Sequence, residues 1–291
     1  MRFFRFLVRE LLLHGIVFAV VGTVVLSALY LLSIGAPSDA YLDAVKSFLL
    51  FISGHANSNT VGFTSGQIIF AGASQTFPLA MFSLIFVILI ALVSSSYAVT
   101  SRYMALNFGK KTSEKIEKVV MFITSLLAAV PLFIGFWLAY IMLGTVPFFV
   151  IAFVTVIMGG LSWDATNFLR TDMLAQVNQT HAIVYSTLGR SRGRFFPLPG
   201  SYSGYLFQSS LPRFIPYLAG KVPAIIGSVT IAEIAYSFPG LGSNLIDALV
   251  ETDTDLLVTS VFVLLCINAV VSFCVKTILF LIYPRVYEKT I

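Results

Sequence analysis

One carboxylate and a run of helix-breaking residues mark the stretch EIAYSFPGLG, which runs from Glu233 to Gly242. Glu233 stands in an apolar run, and the chain then reads Pro239, Gly240, Leu241 and Gly242. General acid or base catalysis would need a reacting group within hydrogen-bonding reach of the carboxylate, and neither a paired carboxylate nor a nucleophile accompanies it. Proline and glycine end helices and permit tight reversals. We therefore interpret the stretch as a helix end followed by a turn.

The motifs of common enzymes are absent from the sequence. It contains no GxSxG, no HExxH and no GxxxxGK[ST] phosphate loop, and FGKKTS at 108–113 lacks the leading glycine and the required Lys-Ser/Thr order. We therefore predict that the chain is not an enzyme. If it moves a solute uphill, the energy must come from an ion gradient or from another subunit.

Metal and redox chemistry are not indicated either. His14, His55 and His181 are spread over an apolar segment and two opposite connections, so they are not expected to share a metal ion. Cys266 and Cys274 lie eight residues apart inside one apolar segment, without a CxxC pattern. We expect no metal and no cofactor to be bound by this chain.

The composition indicates an all-α polytopic membrane protein. Of the 291 residues, 58% are hydrophobic and 11% are charged, whereas soluble domains carry about 25% charged residues. A membrane-spanning helix needs about 20 apolar residues. Six segments qualify, which predicts about six transmembrane helices: 9–34, 77–100, 118–143, 145–163, 213–238 and 255–283. Pro131 falls inside the third segment and predicts a helix kink there.

Most basic residues fall in alternate connections between these segments. Of the 18 Lys and Arg residues, 15 lie in the N-terminus, the 101–118 and 164–213 connections and the C-terminus, whereas the opposite connections hold only Lys46. The positive-inside rule therefore predicts that both termini are cytoplasmic. A basic surface for nucleic acid would not alternate in this way, so we expect no nucleic-acid partner.

The longest predicted cytoplasmic connection, 164–212, is larger than a turn requires, and long ordered loops often carry function. Its first half, from Asp164 to Leu188, lacks glycine and proline and is predicted to be helical, with a helix stop at Gly189. Arg190 then opens a basic loop rich in aromatic residues, glycine and proline. We divide the chain into a first transmembrane helix with its outer loop, 1–76, and a core domain, 77–291.

Three stretches together resemble one family of membrane proteins. The stretch GSVTIAEIAYSFPGLGSNLIDALVETDTDLL, at 227–257, resembles the C-terminal signature of the dipeptide, oligopeptide and nickel permease subunits of binding-protein-dependent ABC importers. RTDMLAQV, at 170–177, is similar to the start of their cytoplasmic segment, and Gly189 falls where their EAA loop has its glycine. The acidic residue and the lysine that usually precede that glycine are absent. The order of elements resembles the subunit type with the longer first outer loop.

The resemblance implies a type I ABC importer permease fold in the bacterial cytoplasmic (inner) membrane, with lipid around it. The implied partners are a second homologous permease subunit in a heterodimer, two cytoplasmic ATPase subunits that hold ATP and Mg²⁺, and an external solute-binding protein. The implied substrates are peptides or a small metal chelate such as nickel.

The resemblance also assigns roles to two sets of residues. The 164–212 loop would contact the ATPases through His181, Ala182, Tyr185, Ser186, Gly189 and Arg190. The gate or outer turn would comprise Glu233, Pro239, Gly240, Leu241 and Gly242, unless these residues form only a structural turn.

Two alternatives remain open from the residues alone. A gradient-driven transporter or channel that acts without an ATPase would need ionisable groups in register near the middle of the membrane. The sequence offers Lys221, Glu233 and Lys276, and both lysines are close enough to helix ends to extend to the interface. A polytopic membrane enzyme is the other alternative, but no acid–base pair can be named for it.

Overall fold

The computed structural model describes residues 2–32, 65–109, 111–144, 146–187, 200–251 and 253–282. Within these ranges the regular elements are α-helices, as the apolar composition predicted. In chain order they are α1 (Arg2–Leu32), α2 (Ser65–Phe108), α3 (Lys111–Ala128), α4 (Leu132–Leu143), α5 (Phe148–Met158), α6 (Leu161–Gln176), α7 (Thr180–Thr187), α8 (Tyr202–Tyr236), α9 (Leu241–Val250) and α10 (Thr254–Ile282).

Between four and six of the predicted membrane crossings are present in the described residues. Four helices contain a stretch that is long and apolar enough to span a bilayer: Phe4–Val24, Gln67–Ala105, Tyr202–Tyr236 and Thr259–Thr277. The pair α3 and α4 bends by 96°, the pair α5 and α6 bends by 58°, and each pair counts as one further span if it crosses as a broken helix. The expectation of an all-α polytopic membrane protein is therefore confirmed.

The predicted third segment, 118–143, is two helices rather than one. α3 ends at Ala128, and Pro131 precedes α4 with φ −55° and ψ 137°. Because proline has no N–H, it cannot continue the hydrogen bonding of α3. The residue before a proline is also disfavoured in the helical conformation. The chain therefore turns by 96° at a position where the sequence predicts a kink.

The predicted fourth segment, 145–163, is interrupted at a pair of glycines. α5 ends at Met158, and Gly160 adopts φ +70° in the left-handed region before α6 begins at Leu161. A side chain is strained in that conformation, so glycine is favoured at this corner. α6 continues to Gln176, and a short turn separates it from α7. The helical character predicted for 164–188 is therefore distributed over two helices in the described part of the chain.

The predicted fifth segment, 213–238, begins earlier than expected, because α8 starts at Tyr202. Ser201 caps this helix, with its Oγ accepting the N–H of Gly204 at 2.9 Å. α8 contains Pro212, Pro216 and Pro223. The loop predicted up to residue 212 therefore ends at residue 201.

The chain forms two compact units, each built from separate parts of the sequence. The first unit comprises Met1–Ala80 and Val229–Ile278, and the second comprises Met81–Ser228 and Leu279–Ile291. A core cluster in the first unit joins α2, α9 and α10 through Ile69, Leu241, Ala248 and Leu256. The larger core of the second unit joins α2, α5, α6, α7 and α8. Its buried residues include Val99, Val156, Ala165, Leu169, Met173, Ala182, Leu206 and Phe214.

Candidate functional site

The first candidate site is the α8–α9 junction, which lies in the first compact unit and which we define by Thr76, Glu233, Gly240, Leu241 and Gly242. Glu233 lies near the end of α8 and is completely buried. Its Oε2 accepts the N–H of Gly242 at 2.7 Å. The N–H of Leu241 donates to Oγ1 of Thr76, from α2, at 2.9 Å. The junction therefore connects three helices through polar contacts.

These contacts satisfy the amino end of α9. A helix leaves its first N–H groups without partners inside the helix and carries partial positive charge at that end. Besides the two bonds above, the N–H of Gly240 donates to Oγ of Ser243 at 3.0 Å, and that hydroxyl donates back to the Gly240 carbonyl at 2.9 Å. Glu233 thus caps a helix other than its own, which explains why a carboxylate is retained in an apolar segment.

The two glycines of the junction are required for space. A Cβ atom on Gly240 would overlap the carboxyl carbon and both carboxylate oxygens of Glu233. A Cβ atom on Gly242 would lie 2.5 Å from the Thr230 carbonyl oxygen and 2.9 Å from Oε2 of Glu233. Gly240 itself has φ −141°, which any residue adopts. The interpretation that these glycines serve a tight reversal is therefore wrong for Gly240, which instead allows the carboxylate to approach the backbone.

The reversal is made by Ser237, a residue that the sequence analysis missed. Ser237 has φ +48°, in the left-handed region. The N–H of Phe238 donates to the carbonyl of Glu233 at 2.9 Å, and the N–H of Ser237 donates to the carbonyl of Ile234 at 3.3 Å. This pair of bonds is the Schellman ending of a helix, which usually has glycine at the left-handed position. Pro239 follows, where the helix has already ended.

α2 approaches the junction closely at a further glycine. A Cβ atom on Gly72 would lie 2.6 Å from Nδ2 of Asn244 and 3.1 Å from the carbonyl carbon of Gly240. The side chain of Asn244 donates to the carbonyl of Ile68 at 3.3 Å. The first turn of α9 is therefore held against α2 as well as against Glu233.

The second candidate site is α7, which lies in the second compact unit and holds most of the predicted ATPase contacts. Ala182 is completely buried in the core. The ring of Tyr185 stacks on Tyr205 of α8, with centroids 4.1 Å apart and planes 7° apart, and His181 lies beside the same ring at 5.8 Å. The structure thus places His181 and Tyr185 of α7 against Tyr205 of α8, with Ala182 buried in the core. Gly189 and Arg190 lie outside the described residues.

The opposite side of α7 is exposed and apolar. The side chains of Ile183 and Val184 are each 51% exposed. The hydroxyls of Ser186 and Thr187 donate to carbonyls of their own helix, at 2.7 and 2.8 Å. α7 therefore presents two aliphatic side chains on a short helix that is fixed from behind by aromatic stacking.

Both intramembrane lysines named from the sequence are ion-paired. Nζ of Lys221 lies 2.6 Å from Oδ2 of Asp164, within the second unit. Nζ of Lys276 lies 2.9 Å from Oε2 of Glu10, within the first unit. Sequence analysis missed Glu10, because no pattern links α1 to a lysine in α10. Each lysine therefore neutralises a carboxylate.

Comparison with known proteins matches the chain to a protein family. Residues 99–287 match the model of the family described as binding-protein-dependent transport system inner membrane component, which is well over half of the chain. The matched range contains α7 and most of the α8–α9 junction. No curated protein matches the chain.

Proposed function

This chain belongs to the family of inner membrane components of binding-protein-dependent transport systems, and on that basis we propose that it is the translocation subunit of an ATP-driven ABC importer for peptides or for a small metal chelate such as nickel. The family makes the chain a transport subunit rather than an enzyme. The observation that supports energy coupling is α7, a short helix fixed to α8 with Ile183 and Val184 left exposed.

α7 would be the contact with the ATPases. Two cytoplasmic ATPase subunits would bind ATP and Mg²⁺ and would receive the exposed aliphatic side chains of α7 in an apolar groove. Because Tyr185 stacks on Tyr205, a displacement of α7 would be passed to α8 as a rigid-body movement. Of the residues assigned to this contact from the sequence, Ala182 is buried and His181 and Tyr185 lie against Tyr205, so these three would hold α7 in place while Ile183 and Val184 meet the ATPase. Ser186, Gly189 and Arg190 would complete the contact, within the cytoplasmic loop 164–212.

The α8–α9 junction would form the outer turn, on the side where an external solute-binding protein delivers substrate. α9 exposes Ile246, Leu249 and Val250, which would supply apolar contact area for that protein or for the membrane interface. In this arrangement both termini are cytoplasmic, and 1–76 precedes the core domain 77–291. A second homologous permease subunit would complete the translocation path in a bacterial inner membrane.

Co-purification tests the assignment of α7. We expect the wild-type chain to bring down ATPase subunits and a second permease, and I183D/V184D to lose the ATPases while still accumulating in the membrane. Leu249→Asp is the matched control, because Leu249 is 56% exposed on the short helix α9. Retention of the ATPases by I183D/V184D would contradict the role of α7.

Uptake assays separate the proposed function from the gradient-driven alternative. The complete complex with its binding protein should take up labelled peptide or nickel chelate only with ATP, and comparison of the two labels would identify the substrate class. Transport by the purified single chain, driven by an ion gradient without ATP, would overturn the proposed function. The ion pairs of Lys221 and Lys276 count against that alternative, because each lysine is held by a carboxylate.

A further inference from the structure

α6 and α8 are joined by four contacts that recur at every fourth residue of both helices. The two helices are antiparallel along these contacts, so that residues nearer the end of α6 contact residues nearer the start of α8. The contacts are Asp164 with Lys221 at 2.6 Å, Phe168 stacked on Tyr217 with centroids 4.2 Å apart, Asp172 with Arg213 at 2.9 Å, and Gln176 with Ser209 and with Ser210, the latter at 2.8 Å. We call this set the α6–α8 ladder.

The four-residue period places the ladder on one face of each helix. Residues four apart lie above one another on an α-helix, and twelve residues of helix extend about 18 Å. The adjacent face of α6 contributes Ala165, Leu169 and Met173 to the buried core of the same unit. A polar and aromatic seam therefore runs beside an apolar one over most of α6.

The row on α8 continues by one more residue to α7. Tyr205 lies four residues before Ser209, and it is the ring on which Tyr185 stacks. The turn between α6 and α7 is short and held by backbone bonds, from Val177 to Leu174 at 3.2 Å and from Gln179 to Gln176 at 3.0 Å. One row of α8 therefore holds both α6 and α7.

The ladder sets the register of the two helices more than it adds to their stability. Arg213 and Asp164 are 59% and 51% exposed in their side chains, and exposed ion pairs contribute little to stability. A slide of one helical turn, however, would place Asp172 opposite Tyr217 or Ser209 and Phe168 opposite a basic residue. All four contacts would then be lost together, so the apolar seam has one preferred alignment.

A further ion pair fixes α6 on another side. Nη2 and Nε of Arg170 lie 2.6 and 2.7 Å from Oε1 of Glu117, which is buried in α3. α6 is thus held by charged contacts to two helices within the second unit.

We propose that the α6–α8 ladder makes α6, α7 and the part of α8 from Tyr202 to Lys221 move as one body, so that a displacement of α7 is delivered to α8 without slippage. Asp172, Arg213, Asp164 and Lys221 are then positioning residues for energy coupling. This proposal rests on the proposed function, because it needs an ATPase that displaces α7.

The test uses the complete importer complex in proteoliposomes, with uptake and ATP hydrolysis measured together. Arg213→Gln and Asp172→Asn should leave the ATPases bound and ATP hydrolysis active, and should lower uptake per ATP hydrolysed about fivefold, the factor for 1 kcal/mol. The charge-swapped variant D172R/R213D should restore the ratio. Arg102→Gln is the matched control, because Arg102 is 52% exposed and pairs with Glu114 at 3.9 Å outside the ladder.

The outcomes separate the ladder from the proposed function. If the wild-type chain binds no ATPase, the proposed function fails. If wild type couples uptake to ATP and both single variants keep the wild-type ratio, the ladder proposal is overturned while the proposed function holds. If the single variants do not accumulate in the membrane, the ladder proposal is tested on the charge-swapped variant and on Phe168→Leu instead. A swapped chain that accumulates but stays uncoupled, or a Phe168→Leu chain with the wild-type ratio, overturns the proposal.

Discussion

Glu233 shows how a single carboxylate can be stable inside an apolar segment. Its carboxyl group faces the amino end of α9, where the first backbone N–H groups have no partner within the helix and where the helix dipole favours a hydrogen-bond acceptor. Glycine occupies positions 240 and 242 beside it, so that the carboxylate meets the backbone there rather than side chains. Gly240 is the position with the least room, because a Cβ atom there would overlap the carboxyl group.

The Gly240→Ala substitution therefore has a defined expectation. The added methyl group must displace the Glu233 carboxylate from its bond to Gly242, which should lower the free energy of unfolding by about 1–3 kcal/mol, the range for overpacked sites. Thermal unfolding in detergent measures the effect, and uptake by the complex should fall with it. Gly220→Ala is the control, since a Cβ atom at Gly220 has no neighbour within 4 Å. Equal melting temperatures for the two variants would contradict the expectation that a side chain at position 240 collides with Glu233.

At the scale of elements, the helix interruptions govern the path of the chain. Pro131 and Gly160 each end one helix and begin another, with bends of 96° and 58°. The two corners differ in cause, because proline removes a donor whereas Gly160 occupies a left-handed conformation. Both corners lie inside stretches that hydropathy alone would treat as single spans.

A substitution at Gly160 tests whether the α5–α6 corner depends on glycine. Alanine at φ +70° should lower the free energy of unfolding by about 1–2 kcal/mol, the cost of a left-handed conformation for a residue with a Cβ atom. Gly227→Ala, in the interior of α8 with open space around its Cβ position, should be neutral or slightly stabilising. Melting temperatures of the two variants make the comparison. A Gly160→Ala protein as stable as wild type would mean that the corner is set by packing instead.

Sequence patterns predicted the positions of the helices better than they predicted the contacts between the helices. Hydropathy located the apolar segments, and the breaker residues at 131 and 239–242 indicated a kink and the helix end near Glu233, whereas the corner at Gly160 was not predicted. The start of α8 was missed, because the stretch up to Pro212 was assigned to the cytoplasmic loop although residues 202–212 lie inside the helix. The partner of Glu233 and the left-handed Ser237 depend on how helices approach in space. No local pattern specifies that approach.

At the scale of the whole chain, contacts between residues far apart in sequence hold each unit together. In the first unit, α1 and α10 are joined by the ion pair of Glu10 and Lys276. Glu10 is 4% exposed, and its carbonyl lies 2.7 Å from Nδ1 of His14. Two segments 266 positions apart are therefore connected by one charged contact. This contact attaches the first described helix, α1, to α10.

Removing the lysine from this pair should destabilise the docking of α1. Lys276→Met leaves a buried carboxylate without its closest cation, which costs about 1–3 kcal/mol for an unsatisfied buried group. The value is below that of a fully buried pair, because Lys276 is 33% exposed and Arg9 lies 3.7 Å from the other oxygen of Glu10. The double variant E10M/K276M should recover most of the loss, since an apolar pair can replace a buried ion pair. The measurement is the protease resistance of α1 in membranes for the wild-type, single-variant and double-variant chains. We expect it to fall in the single variant and to recover in the double variant. A double variant weaker than either single variant would show that the charges at this position serve something other than the attachment of α1.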